Sequence, residues 1–203
     1  MKKRIMVDMD DVITTGGFLH LVNEYLKANY KEDDFESFYM QDVVPDKDEF
    51  FKWFKTYNMY DFCTLTPDVY EVLEELNKNY EIFIGTSYMI RDIIKDTGFL
   101  LPQKYEFLIN TFPFLNPNNF IFLGNKSVLN CDIKIDDRID NLDGAKTKIL
   151  FTAWHNKNIS KEELNNNGIK RADNWKEIEN MLLNEGININ GWAKRIRIKI
   201  SNR

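Results

Sequence analysis

Ile5-Met6-Val7-Asp8-Met9-Asp10-Asp11-Val12 is the stretch that decides how this chain is read. Three apolar residues run straight into three carboxylates within four positions. A short apolar run of this kind suits a buried strand. The carboxylates repel one another, and a fold tolerates them when a cation neutralises them or water solvates them. Two later features favour the cation. Asp136-Asp137 is a second acidic pair that also follows an apolar segment, and Lys126 lies between the two clusters in sequence. Carboxylates at the carboxyl ends of two strands, with a threonine and a lysine nearby, suit magnesium-assisted phosphoryl transfer.

The elements around this stretch alternate. Strands are expected at Arg4–Asp8, Glu81–Gly85, Asn119–Leu123, Asp132–Ile135 and Lys146–Phe151. Helices are expected at Phe18–Tyr30, Lys47–Tyr57, from Pro67 to about Asn79, at Met89–Thr97, and at Asp173–Leu183 with Asp173 or Asn174 as N-cap. Alternation of this kind predicts a mostly parallel sheet covered on both faces, with ligands at the carboxyl ends of its strands. Asp8 and Asp10 fall at the end of the first strand and Thr86 and Ser87 at the end of the second. Lys126 follows the third, and Asp136 and Asp137 the fourth.

Residues 17–63 break the alternation. They read as helical and are rich in aromatics, among them Phe50, Phe51, Trp53 and Phe54. An insertion directly after the first strand stands above the acidic site as a small cap. The expected organisation is a catalytic core of residues 1–16 and 64–186, a cap of residues 17–63, and a basic extension of residues 187–203. In that extension Asn190-Gly191 lies between isoleucine-rich runs and suggests a hairpin.

Composition narrows the function. The 203 residues are 43% hydrophobic and 29% charged, the balance of a soluble globular protein. No apolar run approaches the roughly 20 residues of a membrane span, and Met1-Lys2-Lys3-Arg4 is followed too soon by acid to be a secretory signal. Cys63 and Cys131 lie far apart, which suits a reduced, cytoplasmic setting. The net charge is −5, and Lys194, Arg195, Arg197, Lys199 and Arg203 are all concentrated at the end. The rest is therefore more acidic still, which argues against a nucleic-acid polymer as partner. The sequence is compatible with a homodimer.

Each residue supports a specific role. Asp8 is the candidate nucleophile, forming an aspartyl-phosphate. Asp10, two positions on and able to share its side of the strand, is the candidate acid and base. Thr86 and Ser87 are candidates to bind phosphate oxygens, and Lys126 to hold the phosphate. Asp137, with Asp136 acting through water, would complete a magnesium shell. His155, Trp154 and Trp175 are read as structural.

These motifs resemble, in order, the four motifs of the haloacid dehalogenase superfamily: Asp8-x-Asp10-x-Val12, Ile-Gly-Thr86-Ser87, Lys126 and Ile-Asp136-Asp137-Arg138. Within it, Gly16-Gly17-Phe18-Leu19, Asn125-Lys126-Ser127-Val128, Leu150-Phe151-Thr152-Ala153-Trp154-His155-Asn156 and Ala172-Asp173-Asn174-Trp175-Lys176 resemble the 5'(3')-deoxyribonucleotidases. The resemblance spans roughly residues 4 to 180 and is weakest across the cap. It implies a Rossmann-like three-layer α/β/α sandwich with a helical cap after strand one, and a magnesium-dependent phosphatase acting on nucleoside monophosphates. It also implies magnesium ligands at the Asp8 side chain, the Asp10 backbone carbonyl and Asp137. Phe38, Tyr39 and Met40 resemble a cap segment that contacts the nucleoside. Two departures stand out. Asp11 replaces the usual glycine, and Ile13-Thr14-Thr15-Gly16 lacks the aromatic residue that stacks on the base. Another small phosphate monoester, or a non-catalytic phosphorylatable or nucleotide-binding switch, is the alternative.

Overall fold

The structure, a computed structural model, describes residues 1–184. The extension of residues 187–203 and its expected hairpin lie outside the described residues.

In chain order the elements are β1 (Arg4–Val7), β2 (Thr14–Thr15), α1 (Gly17–Leu26), α2 (Lys47–Phe54), β3 (Thr64–Leu65), α3 (Val69–Asn79), β4 (Glu81–Thr86), α4 (Leu100–Thr111), β5 (Phe120–Phe122), β6 (Cys131–Asp136), β7 (Ala145–Phe151), α5 (Lys161–Asn166), β8 (Ile169–Ala172) and α6 (Trp175–Glu179). Six strands form one parallel sheet in the order β5-β4-β1-β6-β7-β8. Helices pack on it in a layered α/β/α arrangement. Successive strand side chains face opposite sides, yet Ile5, Met6 and Val7 are all buried. A strand covered on both faces needs such an unbroken apolar run.

β1 lies between β4 and β6, with Val7 opposite Ile84 and Ile135. The Asp8 N–H donates to the Ile135 carbonyl at 2.9 Å, carrying the ladder one residue further. Because the strands are parallel and in register, their carboxyl ends open on one edge. The chain fills one side of β1 with β4 and β5 before crossing to β6. The sheet therefore has its switch point at β1, where such folds bind ligands.

Several boundaries differ from expectation for identifiable reasons. α1 stops at Leu26 instead of reaching Tyr30. The Asn23 side chain exchanges hydrogen bonds with the Tyr30 backbone (2.7 and 2.9 Å), and Lys27 turns left-handed. α2 ends at Phe54, before Tyr57. α3 opens at Val69, two residues after Pro67. Met89–Thr97 is not an α-helix. Residues Arg91–Asp96 form 3-10 turns broken at Ile93, and none of them is buried, so no apolar face drives a regular helix. The helix comes after Gly98 as α4, absent from the sequence reading. Its buried positions are Leu100, Lys104 and Leu108, and a lysine at the middle position hides the apolar period. α5 and the edge strand β8 were also not anticipated. β8 buries only Ile169 and Ala172, with Lys170 between them exposed. The helix near the end begins at Trp175 with Asn174 as N-cap and continues as a π-helical turn, Asn180–Asn184.

Residues 17–63 hold α1, α2 and three 3-10 turns, Glu32–Asp34, Met40–Val43 and Met59–Phe62. Phe50, Phe51 and Phe54 are buried and belong to the same apolar cluster as Ile5, Val7 and Ile84. Burying each such side chain stabilises the fold by about 1.5–3 kcal/mol.

Candidate active site

The polar centre of the site is buried. Lys126, 2% exposed, places Nζ 2.5 Å from Asp8 Oδ2 and 2.7 Å from Asp136 Oδ2. The other Asp8 oxygen accepts from the Met9 N–H at 2.6 Å. Asp136 Oδ1 accepts from the Arg138 N–H at 3.0 Å and from Asn141 Nδ2 at 2.9 Å, so both its oxygens are partnered. Carboxylate oxygens of Asp8, Asp136 and Asp137 lie within 4.8 Å of one another. Strand ends from distant parts of the sequence thus meet in one place.

Lys126 is itself held from behind. Lys134 is fully buried, and its ammonium donates to the carbonyls of Lys126 (2.8 Å), Asn141 (3.0 Å) and Asp143. It ties the loop after β5 to the loop after β6. Asn156, also buried, donates to the Asp137 carbonyl at 2.8 Å and to the Phe151 carbonyl at 2.7 Å. Lys134 is absent from the sequence reading, and Asn156 enters it as the last residue of the Leu150–Asn156 motif. Nothing short of the strand register points to Lys134.

The electrostatics reflect crowded acid. Burial pushes the Asp8 carboxyl up to about 6; Lys126 pulls it down in part, and Asp136 and Asp10 push it up again. Burial, then Asp136 and Asp8, hold Asp137 well above the usual carboxylate range. Burial and the neighbouring Asp10 and Glu32 raise Asp11 to about 7. Burial works against the charge on Lys126, but Asp8 and Asp136 outweigh it and keep the ammonium protonated.

His155, read from the sequence as structural, packs against the carboxylate group. Its Nε2 lies 2.7 Å from Asp137 Oδ2. Burial and Arg138 lower the imidazole to about 4, so at neutral pH it is uncharged. Trp175 is fully buried and donates to the Val12 carbonyl and to Thr66 Oγ1, a packing role as expected. Trp154 lines the cavity described next.

That cavity, of about 260 Å³, opens above the carboxylates. Asp8, Asp10, Ser87, Lys126 and Asp137 line it from the sheet side. Phe18, Phe38, Tyr39, Met40 and Tyr60 line it from residues 17–63. Phe38 lies parallel to Trp154 (centroids 6.4 Å apart, planes at 2°), and Arg91 sits 3.9 Å over the Tyr39 ring. Gly17 is obligatory here, because a Cβ would fall 2.4 Å from Cys63 Sγ and 2.7 Å from the Met59 carbonyl. Asp11 stands at φ 57°, a left-handed conformation that glycine adopts freely and aspartate tolerates. Thr86 is fully buried at the end of β4, and its hydroxyl contacts the Ser87 carbonyl at 3.3 Å.

The Asp10 side chain lines the same cavity as Asp8 and Asp137 and is held by two further groups. Its Oδ2 meets Lys104 Nζ at 2.5 Å and its Oδ1 accepts from the Tyr60 hydroxyl at 2.8 Å. Neither Lys104 nor Tyr60 was singled out in the sequence.

The donor set fits a magnesium ion. Asp8, Asp136 and Asp137 offer oxygen atoms, the ligands magnesium prefers. Asp10 and Asp11 line the same cavity as Asp8 and Asp137, so acid is concentrated where a divalent cation would sit.

The fold is that of the haloacid dehalogenase-like class. A structure of a predicted phosphatase from Clostridium acetobutylicum superposes with a TM-score of 0.59 at 13% identity, covering 91% of this chain and 99% of that one. A haloacid dehalogenase-like hydrolase from Streptococcus pneumoniae gives 0.55 at 15% identity, covering 87% and 96%. The sequence goes further. The family described as 5' nucleotidase, deoxy (pyrimidine), cytosolic type C protein matches residues 2–186. Proteins of Bacillus subtilis and of Bacillus phage SPbeta named 5'(3')-deoxyribonucleotidase are each 31% identical over 186 residues, covering 90% of this chain and 100% of theirs. The chain belongs to that 5'-nucleotidase family, and so to the phosphoric monoester hydrolases.

Proposed function

We propose that this protein is a magnesium-dependent phosphatase that hydrolyses deoxyribo- and ribonucleoside monophosphates through an aspartyl-phosphate on Asp8. The observation that carries the reading is the meeting of Asp8, Lys126, Asp136 and Asp137 at the carboxyl ends of adjacent strands, beneath a cavity edged by aromatics.

Asp8 attacks phosphorus. Lys126 holds the nucleophile in place and offers its remaining N–H to a phosphate oxygen, since an ammonium has three donors and two are engaged. Thr86 and Ser87 bind the other phosphate oxygens. Asp10 protonates the leaving oxygen and then takes a proton from the attacking water. The Asp8 and Asp137 side chains and the Asp10 backbone carbonyl would hold magnesium, with Asp136 behind them. When bound, magnesium supplies the positive charge that lets an anionic nucleophile approach a phosphate dianion. His155 fixes Asp137 through the hydrogen bond between Nε2 and Asp137 Oδ2.

Residues 17–63 serve as a cap over the core of residues 1–16 and 64–186. Phe38 and Tyr39 offer ring faces to a nucleobase at the cavity wall, in place of the aromatic missing from Ile13–Gly16. A cavity of this size suits a small phosphate monoester and not a polymer. Among the described residues no helix is long and apolar enough to cross a membrane.

The test is a phosphate-release screen over ribo- and deoxyribonucleoside monophosphates and common sugar phosphates, with and without magnesium. The expected result is turnover of nucleotides that requires magnesium and is abolished in Asp8→Asn. Turnover of sugar phosphates alone would move the substrate class, and no turnover of any phosphate would overturn the reading.

A further inference from the structure

Asp10 is gripped from two directions by elements far apart in sequence. Lys104 comes from α4 and is 1% exposed; Tyr60 comes from the 3-10 turn Met59–Phe62 and is 3% exposed. The Lys104 ammonium binds Asp10 Oδ2 at 2.5 Å and Thr86 Oγ1 at 2.8 Å. The Tyr60 hydroxyl donates to Asp10 Oδ1 at 2.8 Å, and the same ring lies 5.3 Å from the ammonium. The Asp10 side chain nonetheless remains 45% exposed.

Each oxygen of the carboxylate therefore has one fixed donor on its inner side. A carboxylate has about four lone-pair sites, so those facing the cavity stay free. A carboxylate held at both oxygens cannot rotate about its last bond. Lys104 further links Asp10 to Thr86, which sets the spacing between the proton-transfer group and the proposed phosphate-binding hydroxyl. A buried ammonium is costly to place, and α4 spends a core position, between Leu100 and Leu108, on this contact.

We propose that Lys104 and Tyr60 are positioning residues that aim the Asp10 carboxylate at the water that hydrolyses the phospho-aspartate. The proposal rests on the reading of Asp8 as nucleophile and Asp10 as base. In the first half-reaction an Asp8 oxygen bonds to phosphorus. The bond to the leaving oxygen breaks, and that oxygen takes its electron pair and a proton from Asp10, or departs as the anion if it is acidic enough. In the second, a water oxygen bonds to phosphorus while Asp10 accepts the water's proton. The bond to Asp8 breaks, restoring its carboxylate and releasing phosphate. Rotation of Asp10 therefore impairs the second half-reaction for every substrate.

The test uses p-nitrophenyl phosphate, whose leaving group departs as the anion, with magnesium and rapid mixing. Lys104→Met keeps the apolar stem, Tyr60→Phe removes only the hydroxyl, and Asp10→Asn serves as the reference. The expected result is a burst of about one nitrophenolate per enzyme, followed by turnover slowed roughly tenfold or more in both positioning variants. KM should fall along with kcat, leaving kcat/KM nearly unchanged. If Lys104→Met fails to fold, as thermal unfolding would show, Tyr60→Phe carries the test alone. A burst in Asp10→Asn but none in Lys104→Met or Tyr60→Phe overturns the positioning role. A loss of kcat/KM with no burst overturns it as well, because that pattern marks a structural or phosphate-binding role. No burst in any variant, Asp10→Asn included, removes the covalent reading beneath it.

Discussion

The Lys126 ammonium stands 2.5 Å from Asp8 Oδ2 while also reaching Asp136 Oδ2 at 2.7 Å, all three groups being almost fully buried. One cation thus binds together the ends of β1 and β6. Removing it leaves two buried carboxylates facing each other. Lys126→Met should lower stability by about 3–5 kcal/mol, as breaking a buried ion pair does. It should also reduce kcat by about 10²–10³, the usual loss when a preorganised charge is removed from a reacting group. Urea unfolding and steady-state kinetics check the two parts separately.

Stability should depend on pH in an unusual sense when magnesium is withheld. Asp8 is raised to about 6 and Asp11 to about 7, and Asp137 moves the same way. Between the ordinary carboxylate range and these values the folded protein keeps protons that the unfolded chain has released. Those groups therefore favour the fold at low pH, and their contribution is lost as pH rises from about 4 to 7. His155, lowered to about 4, works in the opposite sense between about 4 and 6.5, where the unfolded chain binds the extra proton. Three acids outweigh one imidazole. Thermal melts in chelator should show these groups costing stability between pH 5 and 7.5, and the gain in Tm from added magnesium should be larger at the higher pH.

His155 should matter through the metal and not through the chemistry. Its Nε2 lies 2.7 Å from Asp137 Oδ2, the proposed ligand. His155→Phe should raise the magnesium concentration for half-maximal activity about 10–100-fold, the usual cost of losing a group that orients a metal ligand. Activity at saturating magnesium should change much less. A titration of activity against magnesium measures this directly.

The aromatic packing of residues 17–63 should carry a large share of the fold's stability. Phe50 is fully buried and touches the rings of Phe18, Tyr25, Phe51 and Phe54. Phe50→Ala should cost about 3–5 kcal/mol through lost burial and the cavity left behind. Equilibrium urea unfolding gives the value.

How far the sequence could be read depended on how local each signal was. Ile5-Met6-Val7 followed by Asp8 carries its meaning within a few residues: an unbroken apolar run must be a buried strand, and acid at its end must face the open edge of the sheet. Asp136 and Asp137 are legible in the same way after Ile133 and Ile135. Lys104 was not, because the lysine sits where the helical period calls for an apolar residue, so α4 lost its signature. The charged segment Arg91–Asp96 before it offered a false one. Its side chains are engaged across the structure, Arg91 with Asp42 and Asp96 with Lys55, contacts that no local pattern encodes. His155 and Lys134 depend on strand register, which only the folded sheet supplies. The departure at Asp11 has a local cause that the sequence shows only as an oddity. The position is left-handed, and aspartate can adopt that conformation where glycine usually does.

The most direct measurement of the central claim is peptide mass mapping after acid quench of the enzyme turning over p-nitrophenyl phosphate with magnesium, a substrate whose leaving group needs no proton from Asp10. The account predicts a phosphoryl group on the peptide bearing Asp8, more of it in Asp10→Asn, and none in Asp8→Asn, which should also release no phosphate. Sustained phosphate release by Asp8→Asn, or turnover with no phosphoryl group reaching Asp8 in Asp10→Asn, would contradict it.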